Sequence, residues 1–290
     1  MQRAALSLFV LFLVWAATMR PLAATARGHV REWHQIRTPA KGDARSIGGY
    51  SAGCVQGALA LPLKGPGFQV MRPERRRHFG HPLLVQFVRG LGQSAKAKRL
   101  GLVQIGDLGQ PRGGPAPTGH ASHQSGLDVD IWYASPPLPV AALSPEERKA
   151  ASSPSVVDEA TLTLNANWQP RMAQLLRSAG EDERVARIFV NPVIKRALCQ
   201  QTRGDRAFLA KLRPWWGHDE HFHVRLACPT DSPECEPQSP LSEGDGCAEA
   251  EAWLSPDAQR EREQERARYR AKIGKKPALP AACDALLQQS

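Results

Sequence analysis

The sequence predicts an α+β fold: a small, mostly antiparallel sheet flanked by helices and long loops and stapled by disulfides. Three observations carry that expectation. Residues 127–132 and 221–226 alternate with the period of two that marks strands. Residues 82–91 repeat their apolar side chains at helical spacing. Six cysteines, an even number, sit in a chain whose first residues read as an export signal.

The 290 residues are 42% hydrophobic, enough to fill a core, which excludes a disordered chain. No apolar run reaches the ~20 residues of a membrane span, which excludes an ordinary integral membrane protein. Lys and Arg number 38 against 28 Asp and Glu, a formal charge of +10. That balance suits an anionic partner and does not choose between a wall polymer, nucleic acid and a membrane surface.

Arg3, an uncharged apolar stretch from Ala4 to Thr18, and the small residues Ala24-Thr25-Ala26 form the pattern of a secretory signal peptide. Residues 1–26 are therefore expected to be cleaved off. Export to an oxidising compartment turns Cys54, Cys199, Cys228, Cys235, Cys247 and Cys283 into three expected disulfides. Spacing alone leaves all fifteen pairings open. No C-x-x-C pair is present, so a zinc site built on cysteines is not expected.

Residues 27–80, rich in Gly, Pro and Arg, read as irregular structure with room for one hairpin. A helix opens at His81-Pro82, with Leu83, Leu84, Phe87, Val88 and Leu91 at helical spacing. Residues 102–107 read as a short strand and 109–119 as a Gly/Pro loop. In 127–132, Leu127, Val129 and Ile131 face one side and Asp128, Asp130 and Trp132 the other. Residues 135–167 are a polar insertion. Helices are expected at 170–179, 192–199 and 205–212, with strands at 185–190 and 221–226. The tail divides by charge. Residues 231–251 hold seven acids and no Lys or Arg, and 257–276 hold eight Lys/Arg against four acids. Ser255-Pro256-Asp257 predicts a helix start. The helix after it is polar all round, which reads as a solvated surface element rather than a nucleic-acid arm. There is no internal repeat.

Five of the nine histidines fall in two clusters, His120-Ala-Ser-His123-Gln-Ser-Gly-Leu-Asp128-Val-Asp130 and Trp215-Trp216-Gly217-His218-Asp-Glu-His221-Phe222-His223. Each piece alone has an ordinary reading as a surface or core histidine. Together they suit a metal, because zinc takes neutral imidazoles and carboxylates that converge at roughly 2.0–2.2 Å. His221 and His223 lie two apart, so a strand projects both from one face. Asp130 projects from the polar face of its own strand, and Gly126 permits a tight approach by the loop that carries His123. Asp128 reads as a supporting carboxylate. His120 and His218 stay open as ligands, supports or loop residues.

The stretch from Gly119 to Trp132 resembles the signature of the penicillin-insensitive murein endopeptidase family, as does Trp216-Gly-His-Asp-Glu-His-Phe-His-Val-Arg-Leu226. Ser46-Ile-Gly, Arg76-Arg-His-Phe-Gly-His-Pro82, Ile105-Gly-Asp107 and Arg187-Ile-Phe-Val-Asn-Pro192 add to it. The resemblance covers essentially the mature chain and is least distinct in 135–167 and 255–280. It places the chain among the LAS metallopeptidases, with a catalytic domain over 27–228 and a disulfide-tied tail over 229–290. It implies His123, Asp130 and His223 as zinc ligands, with His120 added to the metal set. It implies His221 as the catalytic histidine, with His218 in support. It also implies the pairs Cys54–Cys283, Cys199–Cys247 and Cys228–Cys235. Asp158 is the nearest carboxylate for a further metal position in the insertion, and the lack of any histidine between Asp130 and His218 argues against a second site there.

Three protein ligands leave a fourth zinc position for water, whose pKa the metal lowers towards ~7. There is no H-E-x-x-H, so a glutamate base of that kind is absent and His221 is the expected proton acceptor. The implied activity is hydrolysis of the peptide cross-link between D-alanine and meso-diaminopimelate in peptidoglycan, in the periplasm and insensitive to β-lactams. The expected partner is peptidoglycan, with no nucleic acid. After signal cleavage the chain is expected to be soluble, and the sequence leaves its oligomeric state open, a homodimer among the options. Two other classes compete. Gly49-Tyr50-Ser51-Ala52-Gly53 matches the G-x-S-x-G of a serine hydrolase, which requires a strand before it and a helix after it. A non-catalytic, zinc-containing peptidoglycan-binding protein is the other, and it has no need of His221.

Overall fold

In the computed structural model, residues 26–117, 121–134, 143–272 and 278–289 are described, the side chains of 26–29 and 265–272 apart. The chain opens with α1 (Ala26–Gln35) and a hairpin of β1 (Arg45–Gly49) and β2 (Ala52–Gln56). Short strands β3 (Leu59–Ala60), β4 (Lys64–Gly65) and β5 (Phe68–Val70) lead to a single 3-10 turn, Pro73–Arg75, and to β6 (Phe79–Gly80). Next come α2 (Pro82–Ala97), β7 (Val103–Ile105) and β8 (Asp128–Trp132). The insertion supplies α3 (Pro145–Ala150) and the paired β9 (Val157–Asp158) and β10 (Thr163–Leu164). Then follow α4 (Pro170–Gly180), β11 (Val185–Val190), α5 (Pro192–Gln201), a 3-10 turn at Ala207–Lys211, β12 (Leu212–Pro214) and β13 (His221–Leu226). The tail holds α6 (Cys247–Trp253), α7 (Pro256–Lys272) and α8 (Ala281–Gln288).

The fold is α+β, but its main sheet is not the small, mostly antiparallel one expected. Seven strands run in the order β12-β11-β13-β8-β7-β5-β4, and the sheet is mixed. β5 pairs with β7, and β11 with β12, in parallel. Parallel neighbours need a crossover between them. α2 lies in the β5-to-β7 connection and α5 in the β11-to-β12 connection, so two of the expected helices are the crossovers.

Helix starts follow the chemistry of their first residues. Pro stands in the first turn of α2, α3, α4 and α5, where its missing N–H costs nothing. His81 Nδ1 accepts from Leu83 N at the start of α2, and Asn191 Oδ1 from Val193 N at the start of α5. Ser144 and Glu147 form a reciprocal capping box on α3. The predicted helix at 205–212 is only the 3-10 turn. Leu212, fully buried, leaves it to pair with Ile188 as the first residue of β12.

One face of β8 and β13 builds the main core. Val129, Ile131, Phe222 and Val224 are fully buried with Leu84, Phe87 and Val88 of α2 and Leu176 of α4. A second, smaller cluster joins Trp33, Ala40 and Ile47 to Cys54, Cys283 and Leu286, and so docks α8 on the β1–β2 hairpin. The disulfides are Cys54–Cys283, Cys199–Cys247 and Cys228–Cys235, the pairing the resemblance implied. Gly49 closes β1 and Ala52 opens β2, so the G-x-S-x-G string is a hairpin turn and leads into no helix. α7 is less solvated than its sequence suggests. Arg262 lies 4.0 Å over the Trp216 ring and only 16% of its side chain is exposed. Among the described residues no helix is long and apolar enough to cross a membrane. Residues 1–25 of the expected signal peptide lie outside the described residues.

Candidate metal centre

The second face of the same two strands carries the polar residues. β8 and β13 pair antiparallel, and their register sets His223 opposite Asp130, Arg225 opposite Asp128 and His221 opposite Trp132. Residues two apart on a strand share a face, so His221, His223 and Arg225 stand in one row. His123 arrives from the loop before β8 with a left-handed backbone, φ 67°. Few non-glycine residues adopt that conformation, and it persists only where surroundings impose it. Gly126 (φ 74°) closes this loop. A Cβ there would sit 3.0 Å from Val55 and 3.1 Å from the His81 nitrogen.

Asp130 Oδ1 is the centre of the group. It lies 3.4 Å from His123 Nε2, 3.1 Å from His223 Nδ1 and 3.6 Å from His221 Nε2. Among the described residues, His123, Asp130 and His223 form the one group whose donor atoms all lie within 4.8 Å of one another. All three are buried. The far side of each imidazole fixes its tautomer. His123 Nδ1 lies 2.7 Å from the Leu108 carbonyl oxygen, which only accepts, so the proton sits on Nδ1. His223 Nε2 lies 3.1 Å from Asp128 Oδ1, so its proton faces that carboxylate. In its neutral form each histidine then turns a lone pair towards Asp130. A proton on His123 Nε2 or a bound cation would satisfy the oxygen and nitrogens that converge in this buried space, and two imidazoles with one carboxylate are a donor set that could hold a divalent metal. Burial opposes a charge on His123, yet Asp130, Asp128 and Asp107 outweigh it and raise its pKa to about 9. The field of this space therefore favours positive charge.

Asp128 supports the centre without belonging to it. It is fully buried, and burial alone would raise its pKa. Arg225 and His223 overcome that and hold the carboxyl well below the usual range. Arg225 Nε and Nη2 donate to its two oxygens at 2.7 and 3.1 Å, and His123 N donates to Oδ2 at 3.0 Å. Arg225 is itself stacked on Tyr50, 4.1 Å from the ring centre. Such outer partners orient metal-binding histidines.

His221 and His218 flank the centre, their rings 5.2 Å apart. His218 follows Gly217, and both have left-handed backbones, φ 51° and 69°. Asn191 secures this turn: its N donates to the His218 carbonyl at 3.1 Å and its Nδ2 to the Gly217 carbonyl at 3.0 Å. Burial first, then the neighbouring His221 and His223, lowers the His218 pKa to about 3, so this ring is neutral.

Of the residues singled out from sequence, His123, Asp130, His218, His221 and His223 meet at this centre, with Asp128 behind it. His120 lies outside the described residues. Asp158 belongs to the β9–β10 turn instead, where it accepts from Ala160 N and Thr161 N. Arg225 falls within the second motif, but sequence reasoning gave it no role; its position two residues after His223 on the same strand face was the available signal. Asp107, in Ile105-Gly-Asp107, was likewise given no role; its carbonyl accepts from Asp130 N at 2.9 Å and its carboxylate meets Arg75 and Arg77 at 2.9 and 2.8 Å.

Comparison with known proteins agrees in extent with this architecture. A family model described as penicillin-insensitive murein endopeptidase matches residues 46–288. A protein of that name from Yersinia enterocolitica is 46% identical over 259 residues, which cover 88% of this chain and 90% of the relative. One from Klebsiella pneumoniae is 43% identical over 282 residues, 97% of each chain. One from Pectobacterium atrosepticum is 42% identical, covering 97% of this chain and 96% of its own.

Proposed function

The chain belongs to the penicillin-insensitive murein endopeptidase family, and from that membership we propose that it is a zinc-dependent periplasmic hydrolase of the D-alanyl–meso-diaminopimelyl cross-link in peptidoglycan. The observation that carries the metal in this reading is the convergence of two imidazole lone pairs on Asp130 Oδ1. Donors on a tetrahedron of ~2.1 Å radius lie ~3.4 Å apart, and the separations of 3.4 and 3.1 Å fit that edge. His123 Nε2, Asp130 Oδ1 and His223 Nδ1 would hold the ion. We read 27–228 as the catalytic body and 229–290 as a tail on it, with export directed by residues 1–26.

Zinc, when bound, supplies a Lewis acid that polarises the peptide carbonyl and makes a water acidic enough to attack near neutral pH. The chain supplies the rest. The Leu108 carbonyl and Asp128 keep both ligand imidazoles in the tautomer that presents a lone pair. His221, its side chain 20% exposed and its Nε2 3.6 Å from Asp130 Oδ1, would take the proton of the attacking water and return it to the leaving amine. His218 packs beside it as a neutral ring. His221→Ala is expected to keep stoichiometric metal and lose ~10²–10⁴-fold in turnover, the usual contribution of a positioned acid–base group. A variant within threefold of wild type, measured on cross-linked muropeptides, moves that role to another residue.

Penicillin resistance follows from the same chemistry. β-Lactams trap peptidases by acylating a serine, and the G-x-S-x-G serine here sits in a hairpin turn. The test is digestion of cross-linked muropeptides followed by mass spectrometry, with saturating penicillin and separately with a chelator. Full cleavage under penicillin, and loss under chelator restored by zinc, is the expected result. Inhibition by penicillin with indifference to the chelator overturns the proposal. Metal binding with no cleavage of any muropeptide favours the wall-binding alternative.

A further inference from the structure

The 3-10 turn Pro73–Arg75 is held between two left-handed arginines, Arg72 (φ 50°) and Arg76 (φ 52°). Strain of that kind on both sides of one turn persists only where neighbours enforce it. Three of the four arginines here have anchoring roles. Arg72 donates to the Ala151 carbonyl, 3.0 Å, and lies over the Trp132 ring. Arg76 donates to the His34 carbonyl, 3.2 Å. Arg77 is buried against Asp107 Oδ2, 2.8 Å. Arg75 shares that same oxygen, Nη2 at 2.9 Å, and keeps 29% of its side chain exposed.

The turn reaches the candidate centre through Asp107, whose Oδ2 Arg75 and Arg77 share. Arg77, Asp107, Leu108, Ser122 and His123 line one groove. The backbone after Asp107 also holds the ligands, through Asp130 N to the Asp107 carbonyl and His123 Nδ1 to the Leu108 carbonyl. Arg75 is within the field of Asp130, and it is burial first, then the crowding by Arg77 and Arg72, that makes its charge costly. Two guanidiniums, those of Arg75 and Arg77, share one carboxylate oxygen of Asp107, at 2.9 and 2.8 Å, so the pair gains from an additional anion.

The proposed substrate brings one. The scissile nitrogen belongs to the D-centre of diaminopimelate, and that centre keeps its own free carboxylate one bond away. Asp107, Asp128 and Asp130 would repel it. We propose that Arg75 is a substrate-binding residue that receives this carboxylate beside Asp107, which lines the groove that holds His123, and so selects cross-links whose acceptor residue is unamidated. This rests on the D-alanyl–diaminopimelyl reading of the function.

The test is kcat/KM for wild type and Arg75→Gln on two cross-linked dimers, one with the D-centre carboxylate free and one with it amidated. Amidation is expected to cost the wild type roughly 10–100-fold, the range of one charge-assisted hydrogen bond. It is expected to cost Arg75→Gln less than threefold. A wild type that cuts both dimers equally overturns the inference without any variant. So does an Arg75→Gln enzyme that keeps the wild-type preference. A wild type that cuts neither dimer overturns the functional reading itself, which separates the two failures.

Discussion

Asp130→Ala is expected to lose the metal and the peptidase activity together. Its Oδ1 is the one atom that both candidate ligand imidazoles face, at 3.4 and 3.1 Å, and it supplies the only carboxylate of the triad. Without it, two neutral imidazoles remain, too few to hold a divalent ion in a catalytic site. Removing a supporting residue such as Asp128 typically costs ~10–100-fold in metal affinity, and removing the ligand itself should exceed that. The fold should survive, because the backbone at 130 is held independently of the side chain. Asp130 N donates to the Asp107 carbonyl and Gly106 N to the Asp130 carbonyl, at 2.9 and 2.8 Å. The measurements are metal content after dialysis, muropeptide cleavage and the far-UV spectrum. Stoichiometric metal in the folded variant would show that the ligands are misassigned. His123→Ala and His223→Ala should behave alike.

The candidate donor set was legible because strand alternation is a strong local signal. Period two alone puts His221 and His223 on one face and Asp130 on the polar face of its strand. Pairing then brings the two faces together, and that step is not local: no feature of 127–132 or 221–226 announces that Asp130 will sit opposite His223. The supporting residues were harder to read for the same reason. Arg225 meets Asp128 only through the register, and the Leu108 carbonyl is a backbone atom that no sequence pattern marks. The sheet was misjudged on similar grounds. Helical periodicity at Pro82 and Pro192 identifies helices, but whether they cross over between parallel strands depends on pairings such as Phe68 with Val103, far apart in the chain. The insertion shows a different failure. Ser144-Pro145-Glu146-Glu147 carries the cap, the first-turn proline and the capping-box glutamate of α3, a signal that was present and passed over. Arg262 illustrates a limit of amphipathicity. A helix polar on every side still packs when a guanidinium covers a tryptophan face.

Removing the Cys54–Cys283 disulfide is expected to be the most damaging of the three disulfide deletions. The three bonds span sequence separations of 229, 48 and 7 residues. Constraint of the unfolded chain then contributes about 5, about 4 and about 2.5 kcal/mol respectively on the loop-closure model. In the native state this first bond is also wholly buried, 0% exposed at both cysteines, among Trp33, Ile47 and Leu286. Noncovalent contacts keep α8 near its place when the bond is absent. Arg112 Nη1 donates to the Leu286 and Gln289 carbonyls, both at 2.5 Å, and Lys41 N donates to Gln289 Oε1 at 2.7 Å. The loss should therefore appear mainly as easier unfolding of an otherwise native protein, with the metal centre intact at low temperature. Paired alanine variants of each bond, unfolded in denaturant without reductant, give the comparison. The expected order of destabilisation is Cys54–Cys283, then Cys199–Cys247, then Cys228–Cys235. If the Cys228–Cys235 pair proved the most costly to remove, loop closure would not be what these bonds contribute. Native contacts around the β13 exit would then have to carry the effect.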